Sequence, residues 1–483
     1  MKILIVSAEV APFAKVGGLA DVAGALPKAL SKMGHDVRVI MPLYRMIETD
    51  PRWKLFAVGE KFDVEVNPRW IKSSQLKQTV LDGVTFQFVG TDDWFTHSVD
   101  SQSLYQPGGD HHLYFTCAVL KALEHQDWIP DVIHGNDWHL GLLPVLMREK
   151  AGPKWDKVAT VYTIHNFAYQ GEFGTEILDK LQLPHSLYNE HQMETWGNVN
   201  FMKSGMVFSD RVNTVSETYA LEIQTPEFGC TLEGLTQHLA KQGCLSGILN
   251  GIDTDAFNPA TDPDLPANYS ADDVSGKAVC RAKLLQEVGM KPIKGAPLFG
   301  IVSRMSSQKG LDLIMDAAPA LFELPVQLVI QGLGEPPIVA GLKELEQRYP
   351  KHFRFLERFD APLAQRVYAG SDAFLMPSKF EPCGLGQMIA MRYGTIPVVR
   401  ATGGLADTVH DGVNGFRFRH MDAMEMLAAI ERCVNAFHDP AEWTKLQQFG
   451  MRGDYSWQAS ALRYEELYEQ AIATRHPAKA LSA

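Results

Sequence analysis

Arg304 and Lys309 flank the polar turn Ser303-Arg304-Met305-Ser306-Ser307-Gln308-Lys309-Gly310. A guanidinium and an ammonium converging on one point suit a diphosphate leaving group, the first through its planar fork and the second as a point charge. Each charged hydrogen bond contributes roughly 1.5–3 kcal/mol, more where water is excluded. In a chain of formal net charge -12, a solubilising face explains two such cations poorly. Further on stand Glu381-Pro382-Cys383-Gly384-Leu385-Gly386-Gln387 and Thr402-Gly403-Gly404-Leu405-Ala406-Asp407-Thr408. Pro382 and Gly384 shape a turn. The helix expected after it, with Leu385, Met388 and Ile389 on one face, presents its N-terminus to a phosphate. Glu381 then lies where a bidentate acceptor for sugar hydroxyls is useful. The other reading makes it a helix-start carboxylate favoured by the dipole.

The first half carries three more polar segments. In Lys15-Val16-Gly17-Gly18-Leu19-Ala20-Asp21 two glycines let backbone N–H groups approach an anion, and Lys15 adds a point charge. The segment is neither GxGxxG nor a Walker loop, and a plain turn with a solvated lysine is the alternative. His134-Gly135-Asn136-Asp137-Trp138-His139 gathers more polar and aromatic groups than packing needs. Asp137 there either orients a lysine or a sugar hydroxyl, or caps a helix above a buried Trp138. In His165-Asn166-Phe167-Ala168-Tyr169-Gln170-Gly171, His165 and Asn166 can donate hydrogen bonds to sugar hydroxyls or hold a backbone carbonyl beside a developing positive charge. A satisfied core histidine is the competing reading.

Each segment follows a short apolar run. Lys2–Val6, Val37–Met41, Val132–His134, Val158–Ile164 and Arg211–Val215 read as strands in the first half. Leu298–Val302, Val326–Gln331, Phe353–Leu356, Ala373–Met376 and Ile396–Val399 read as strands in the second. Strands alternating with helical stretches imply parallel sheets with right-handed crossovers. Such sheets bind ligands beyond the carboxyl ends of their strands, where these segments fall. Val22, Leu26, Ala29, Leu30 and Met33 repeat at helical spacing, closed by Gly34, with a kink or break expected at Pro27. Asn258–Lys277, rich in Asp, Pro, Asn and Ser, reads as a surface connection.

A chain of 483 residues is too long for one core, so two domains of roughly 200–250 residues are expected, with a boundary near Leu245–Asp253. The composition, 46% hydrophobic and 21% charged, is that of an ordinary globular protein. The negative net charge argues against nucleic acid as a partner. The six cysteines show no CxxC pair and no Cys/His spacing suited to zinc, so a reducing, cytoplasmic location is expected. MKILIVSAEV lacks the features of a signal peptide, and no apolar run reaches the ~18 residues of a membrane span.

KVGGLADV, HNFAYQG, VSRMSSQKGLD, EPCGLGQ and TGGLADTV, with Lys203-Ser204-Gly205, TVSETYALEI at Thr214–Ile223 and Leu249-Asn250-Gly251-Ile252-Asp253, resemble the bacterial glycogen synthase and starch synthase family. The likeness covers Met1 to about Tyr468. It implies the GT-B fold, two Rossmann-like doubly wound α/β domains facing a deep cleft. Residues 1–247 would be the acceptor side with part of the sugar site, and 248–455 the nucleotide-sugar-binding domain. Residues 456–475 would form a helix crossing back to the first domain, and 476–483 a disordered tail. The implied activity is retaining transfer of glucose from ADP-glucose to the non-reducing end of an α-1,4-glucan such as glycogen, without a metal or other cofactor.

Carried over by motif, Lys15, Gly17 and Gly18, with Asp21 beside them, would face the diphosphate and sugar. Arg304 and Lys309 would bind the diphosphate. Glu381, Cys383, Gly384 and Leu385, with Thr402 and Gly403, would contact glucose and phosphates. Asp137, His165, Asn166 and Asn250 would complete the glucose pocket. His165, Arg304, Lys309 and Glu381 are the expected catalytic residues. The sequence departs from the family pattern at Gly386, where threonine is commoner, at Gly135-Asn136, where a histidine is usual, and at Thr231, where a glycine is expected. Trp94–His112 shows little likeness. Two rivals are a GT-B transferase with another donor or a small acceptor, such as a sucrose-forming relative, and a catalytically silent glucan-binding or priming protein. The second would be expected to lose the leaving-group cations.

Overall fold

β1 (Lys2–Val6) carries four consecutive apolar residues, all fully buried, as a strand covered on both faces requires. In the computed structural model, which describes residues 1–90, 94–105 and 107–475, it is the centre of a nine-stranded sheet. The other strands of that sheet are β2 (Asp36–Pro42), β3 (Phe56–Asn67), β4 (Trp70–Leu81), β5 (Val84–Val89), β6 (Val132–Asn136) and β7 (Ala159–Ile164), then β11 (Arg211–Thr214) and β12 (Leu245–Gly247). Their order is β12-β11-β7-β6-β1-β2-β5-β4-β3, parallel from β12 to β5 and antiparallel at the β5-β4-β3 edge. That edge was not anticipated from the sequence. Phe62, Val64 and Val66 alternate with exposed Lys61, Asp63 and Glu65, the period of a half-buried strand rather than the continuous run of a covered one. A small sheet of β8 (Glu172–Phe173), β9 (Glu194–Thr195) and β10 (Asn198–Asn200) lies in the same unit.

The second sheet is wholly parallel: β13 (Leu298–Val302), β14 (Gln327–Gln331), β15 (Phe353–Leu356), β16 (Ala373–Met376), β17 (Ile396–Arg400) and β18 (Phe416–Phe418), ordered β15-β14-β13-β16-β17-β18. This is the doubly wound order, with its reversal between β13 and β16. In the first sheet the reversal falls between β1 and β6. The fold class is therefore α/β with two Rossmann-like units. One unit comprises Met1–Val215, Ala220–Ile248 and the C-terminal helix Trp457–Arg475; the other comprises Ser216–Tyr219 and Leu249–Ser456. Residues 476–483, expected to be disordered, lie outside the described residues.

Three local expectations change. The helix Gly18–Lys32 runs through Pro27 without a break, because buried Leu26, Ala29 and Leu30 hold its apolar face across the lost N–H bond. Gly135 and Asn136 belong to β6 rather than to the loop after it. The 258–277 connection is anchored rather than superficial. Asp262 and Tyr269 are buried, the Tyr393 hydroxyl donates to Asp262, and Tyr269 donates to the Tyr393 carbonyl at 2.8 Å. Lys277 is buried too, its ammonium on the Ala369 and Tyr393 carbonyls and the Thr395 hydroxyl at 2.9, 3.0 and 2.6 Å.

The C-terminal helix packs in the first unit, where Tyr468 OH meets His134 Nδ1 at 2.9 Å and Arg475 pairs with Asp210 at 2.9 Å. Thr163 Oγ1 donates to Asn213 Oδ1 at 2.6 Å, so it must accept from His134 Nε2. That chain of bonds fixes the imidazole tautomer. All six cysteines are free. Among the described residues no helix is long and apolar enough to cross a membrane, and no cluster of three or more His, Cys, Asp or Glu side chains is arranged to hold a metal ion.

Candidate functional site

In the second unit, the loops leaving β13 and β16 meet at the reversal of strand order. Gly310 has φ +66° and sits so close to Pro377 that a Cβ there would lie 1.9 Å from the Pro377 carbonyl oxygen. Only glycine lets the 303–310 turn touch the loop after β16. Lys379 N donates to the Gln308 carbonyl at 2.8 Å, and Gln308 Nε2 to that of Phe380 at 3.1 Å. The contact brings Lys309 Nζ to 2.6 Å from Glu381 Oε2, which also accepts Ser378 Oγ at 3.0 Å. Their side chains are 16% and 8% exposed. Glu381 is therefore not a helix-start carboxylate, since the next helix, Gly386–Arg392, begins well after it. Its expected role on sugar hydroxyls is left to the oxygen that Lys309 does not take. Arg304 is exposed, and among the described residues its guanidinium has no ion-pair or hydrogen-bond partner.

The 381–385 turn interlocks with 402–404. A Cβ on Gly403 would come within 1.9 Å of the Glu381 carbonyl, and one on Gly404 within 2.0 Å of the Cys383 carbonyl. Thr402 precedes the helix Gly403–Thr408. Gly384, at φ +70°, and Leu385 complete the turn, which Gln387 pins through Nε2 to the Gly384 carbonyl at 2.8 Å. Buried Cys383 accepts the backbone N–H of Asn250, and burial pushes its thiol up to about 12. Asn250 is buried, and among the described residues its Oδ1 has no partner, leaving an acceptor ready for a hydroxyl. Gly386 stands 3.1 Å, through its would-be Cβ, from Phe374, so threonine there would need the ring to yield slightly.

In the first unit the loops after β1, β6 and β7 form the corresponding group. Lys15 pairs with Asp21 at 2.6 Å in an exposed contact. The loop around Gly17 and Gly18 was expected to offer backbone N–H groups to an anion, but the buried carboxylate of Glu9 accepts those of Val16 and Gly17, Gly17 at 3.0 Å. At Gly18 an added Cβ would meet nothing within 4 Å, so that face is open. Asp137 has φ 57° and ψ 176°, a region that essentially only glycine visits, and it makes no capping bond. Its carboxylate instead accepts the N–H groups of His165, at 2.8 Å, and Asn166. Burial pushes it up to about 7 against those two bonds.

His165 Nε2 lies 2.9 Å from Asn136 Oδ1. Asn136 Nδ2 donates to the Val6 carbonyl at 3.1 Å, so its oxygen faces the imidazole and Nε2 carries the proton. Burial holds the ring neutral, with its pKa lowered to about 3. His165 therefore presents Nδ1 as an acceptor, whereas the sequence suggested a donor. Asn166 turns its Oδ1 to Ala168 N at 3.1 Å. Gln170 is structural, bridging the Cys230 carbonyl at 2.9 Å and Asn200 at 2.6 Å.

Sequence reading missed Glu9 and a packed aromatic group beside Asp137. His112 lies between His111, Trp138 and His139, with centroids at 3.9, 4.8 and 4.9 Å, and Tyr105 stacks on His139 at 4.8 Å. Burial lowers His111 to about 4 and His139 to about 3, so these rings are neutral. The available signal was the pair His111-His112 beside a run of large apolar residues in the same helix.

Residues 2–238 match the family described as "Starch synthase catalytic domain", and residues 296–436 match "Glycosyl transferases group 1". A glycogen synthase of Syntrophotalea carbinolica is 44% identical across 99% of this chain and 100% of its own. One from Myxococcus xanthus is 44% identical across 98% and 100%. Among solved structures, the catalytic domain of starch synthase IV from Arabidopsis thaliana, bound to ADP and acarbose, superposes with a TM-score of 0.89 at 35% identity over 98% of this chain and 99% of that one. Sucrose-phosphate synthase from Thermosynechococcus elongatus, with a TM-score of 0.61 at 18% identity over 98% and 99%, shares the fold alone. With relatives this similar over its whole length, and with the GT-B fold they share, the chain belongs to the glycogen synthase and starch synthase family of glycosyltransferases.

Proposed function

We propose that the protein lengthens an α-1,4-glucan, taking glucose from ADP-glucose with retention of configuration and releasing ADP in the cytoplasm. The observation that carries this reading is the second unit's reversal point, where the Arg304 guanidinium, without a partner among the described residues, accompanies a lysine–glutamate pair on the loops after β13 and β16. Arg304 and Lys309 take the charge that develops on the leaving diphosphate, so the reaction calls for no metal. Glu381 orients Lys309 with one oxygen and holds sugar hydroxyls with the other. On the first unit, Asp137 fixes the His165 backbone, and His165 Nδ1 accepts a glucose hydroxyl, steadying the oxocarbenium-like centre. No carboxylate is assigned as nucleophile; the glucan 4-hydroxyl attacks on the face the diphosphate leaves.

A donor panel with glycogen as acceptor, read as nucleoside diphosphate release, tests it. ADP-glucose is expected to exceed UDP-glucose by at least about tenfold in kcat/KM, a difference of about 1.4 kcal/mol. Release with fructose 6-phosphate but not with glycogen would favour the sucrose-forming reading. Glucan binding with no release would favour the silent one.

A further inference from the structure

A turn of successive backbone N–H groups beside a helix start is a ready receptor for phosphate. In the loop after β1 that receptor is already filled. Glu9 is 3% exposed, and its Oε2 accepts Val16 N and Gly17 N, the latter at 3.0 Å. The Tyr105 hydroxyl bonds to the same carboxylate, and Ser7 Oγ ties the Glu9 carbonyl at 2.7 Å. Asp21 and Asp137 both lie within electrostatic reach of Glu9. A third carboxylate in such company is costly to bury. A side chain of similar shape would fill the space without that cost, so packing alone does not explain a charged group here.

We infer that Glu9 is a positioning residue. Its carboxylate is the resident anion of the glycine loop, holding Val16 and Gly17 so that the open face at Gly18 receives the sugar and no phosphate is bound by those two N–H groups. The inference rests on the transferase reading for its consequence in turnover, but not for the placement of the carboxylate.

Two variants of the full chain test it. Glu9→Ala frees two donors beside Lys15, and inorganic phosphate at ~10 mM is expected to raise its thermal midpoint by about 2 °C more than that of the parent. No excess shift overturns the inference, and this arm needs no turnover. Glu9→Gln keeps the volume and one acceptor oxygen. It is expected to cut kcat about tenfold while leaving KM for the nucleotide sugar within about threefold, because Arg304 and Lys309 are untouched. Acetate is expected to restore part of the kcat of Glu9→Ala, where chloride at equal concentration does not.

Parent-like kcat in Glu9→Gln, or a raised KM with kcat unchanged, overturns the inference. Should Glu9→Ala fail to fold, Glu9→Gln decides alone. A parent protein that releases nucleotide from no donor defeats the transferase reading, while the phosphate shift still decides whether Glu9 is the loop's anion.

Discussion

The two strand-order reversals are built on the same parallel-sheet topology and filled with opposite chemistry. Around β1 and β6 the charged groups are mostly carboxylates, and each has a partner inside the unit. Glu9 takes Val16 and Gly17, Asp137 takes His165 and Asn166, and Asp21 takes Lys15. The nearby imidazoles are neutral. Around β13 and β16 Glu381 is matched to Lys309 and Asp312 to Lys379, and Arg304 has no partner among the described residues. A sheet end whose backbone donors are already used cannot bind a second anion strongly, but it can present acceptors to hydroxyls. A sheet end with an unspent guanidinium attracts an anion. Under the proposed function, the first unit's sheet end therefore suits sugar hydroxyls and the second's suits a diphosphate, from chemistry rather than topology.

The largest effects are expected where that contrast is removed. Lys309→Met and Arg304→Met should each cut turnover by about 100-fold or more, the cost of losing one donor to developing charge. They should differ in stability. Lys309→Met strands Glu381 in a buried position, at about 3–5 kcal/mol, whereas Arg304→Met, at an exposed side chain without a partner among the described residues, should change stability by no more than about 0.5 kcal/mol. Adding Glu381→Gln to Lys309→Met should recover most of the stability and none of the turnover. Urea midpoints and kcat on the four proteins decide it. Equal destabilisation by the two single substitutions would break the distinction between the spent and the unspent cation.

Much of the second unit's reversal point was legible in advance. Continuous apolar runs announced β13 and β16, and polar turns after them announced the site. What could not be read was that Lys309 and Glu381, 72 residues apart, touch each other. That contact depends on β13 and β16 being neighbours and on Gly310 allowing their loops to meet. The first unit was less legible. Glu9 lies in Ser7-Ala8-Glu9-Val10-Ala11, with nothing in its spacing to mark it, because an irregular turn rather than a helix or strand returns Val16 and Gly17 to it. Asp137 was visible as a residue, but its backbone angle was not. The antiparallel edge was not legible from continuous apolar runs, because β3 alternates buried Phe62, Val64 and Val66 with exposed residues.

A middle-sized effect sharpens the first unit's side of the contrast. Asp137 has its pKa raised from the usual 3.8 to about 7. Between roughly pH 4 and 7 the folded state thus binds more protons than the unfolded one, and stability falls as pH rises through that window. The cost is fully present above pH 7. At 1.36 kcal/mol per unit it amounts to at most about 4 kcal/mol. Asp137→Asn should remove that slope and be more stable than the parent at pH 8, while turnover falls about tenfold as the His165 loop loses its charged acceptor. Unfolding free energies at pH 4, 6 and 8 measure it. A slope unchanged by the substitution would remove Asp137 from the titrating groups.

The smallest effect lies in the same unit but away from its ionisable groups, at Cys230 and Thr231, with φ 46° and 72°. A β-branched residue in the left-handed region is strained, typically by about 1–3 kcal/mol. Glycine relieves that strain but gives up roughly 0.4–1 kcal/mol through the greater freedom of the unfolded chain. Thr231→Gly should therefore stabilise the protein by a net ~1 kcal/mol. Turnover should stay within about twofold if the loop only closes the Gln170–Cys230 bridge. A rise in the urea midpoint with unchanged kcat places the strain in scaffolding. A rise in the midpoint with a fall in kcat would mean that the strained loop belongs to the sugar-facing surface, and the acceptor side would then extend beyond the β1, β6 and β7 loops.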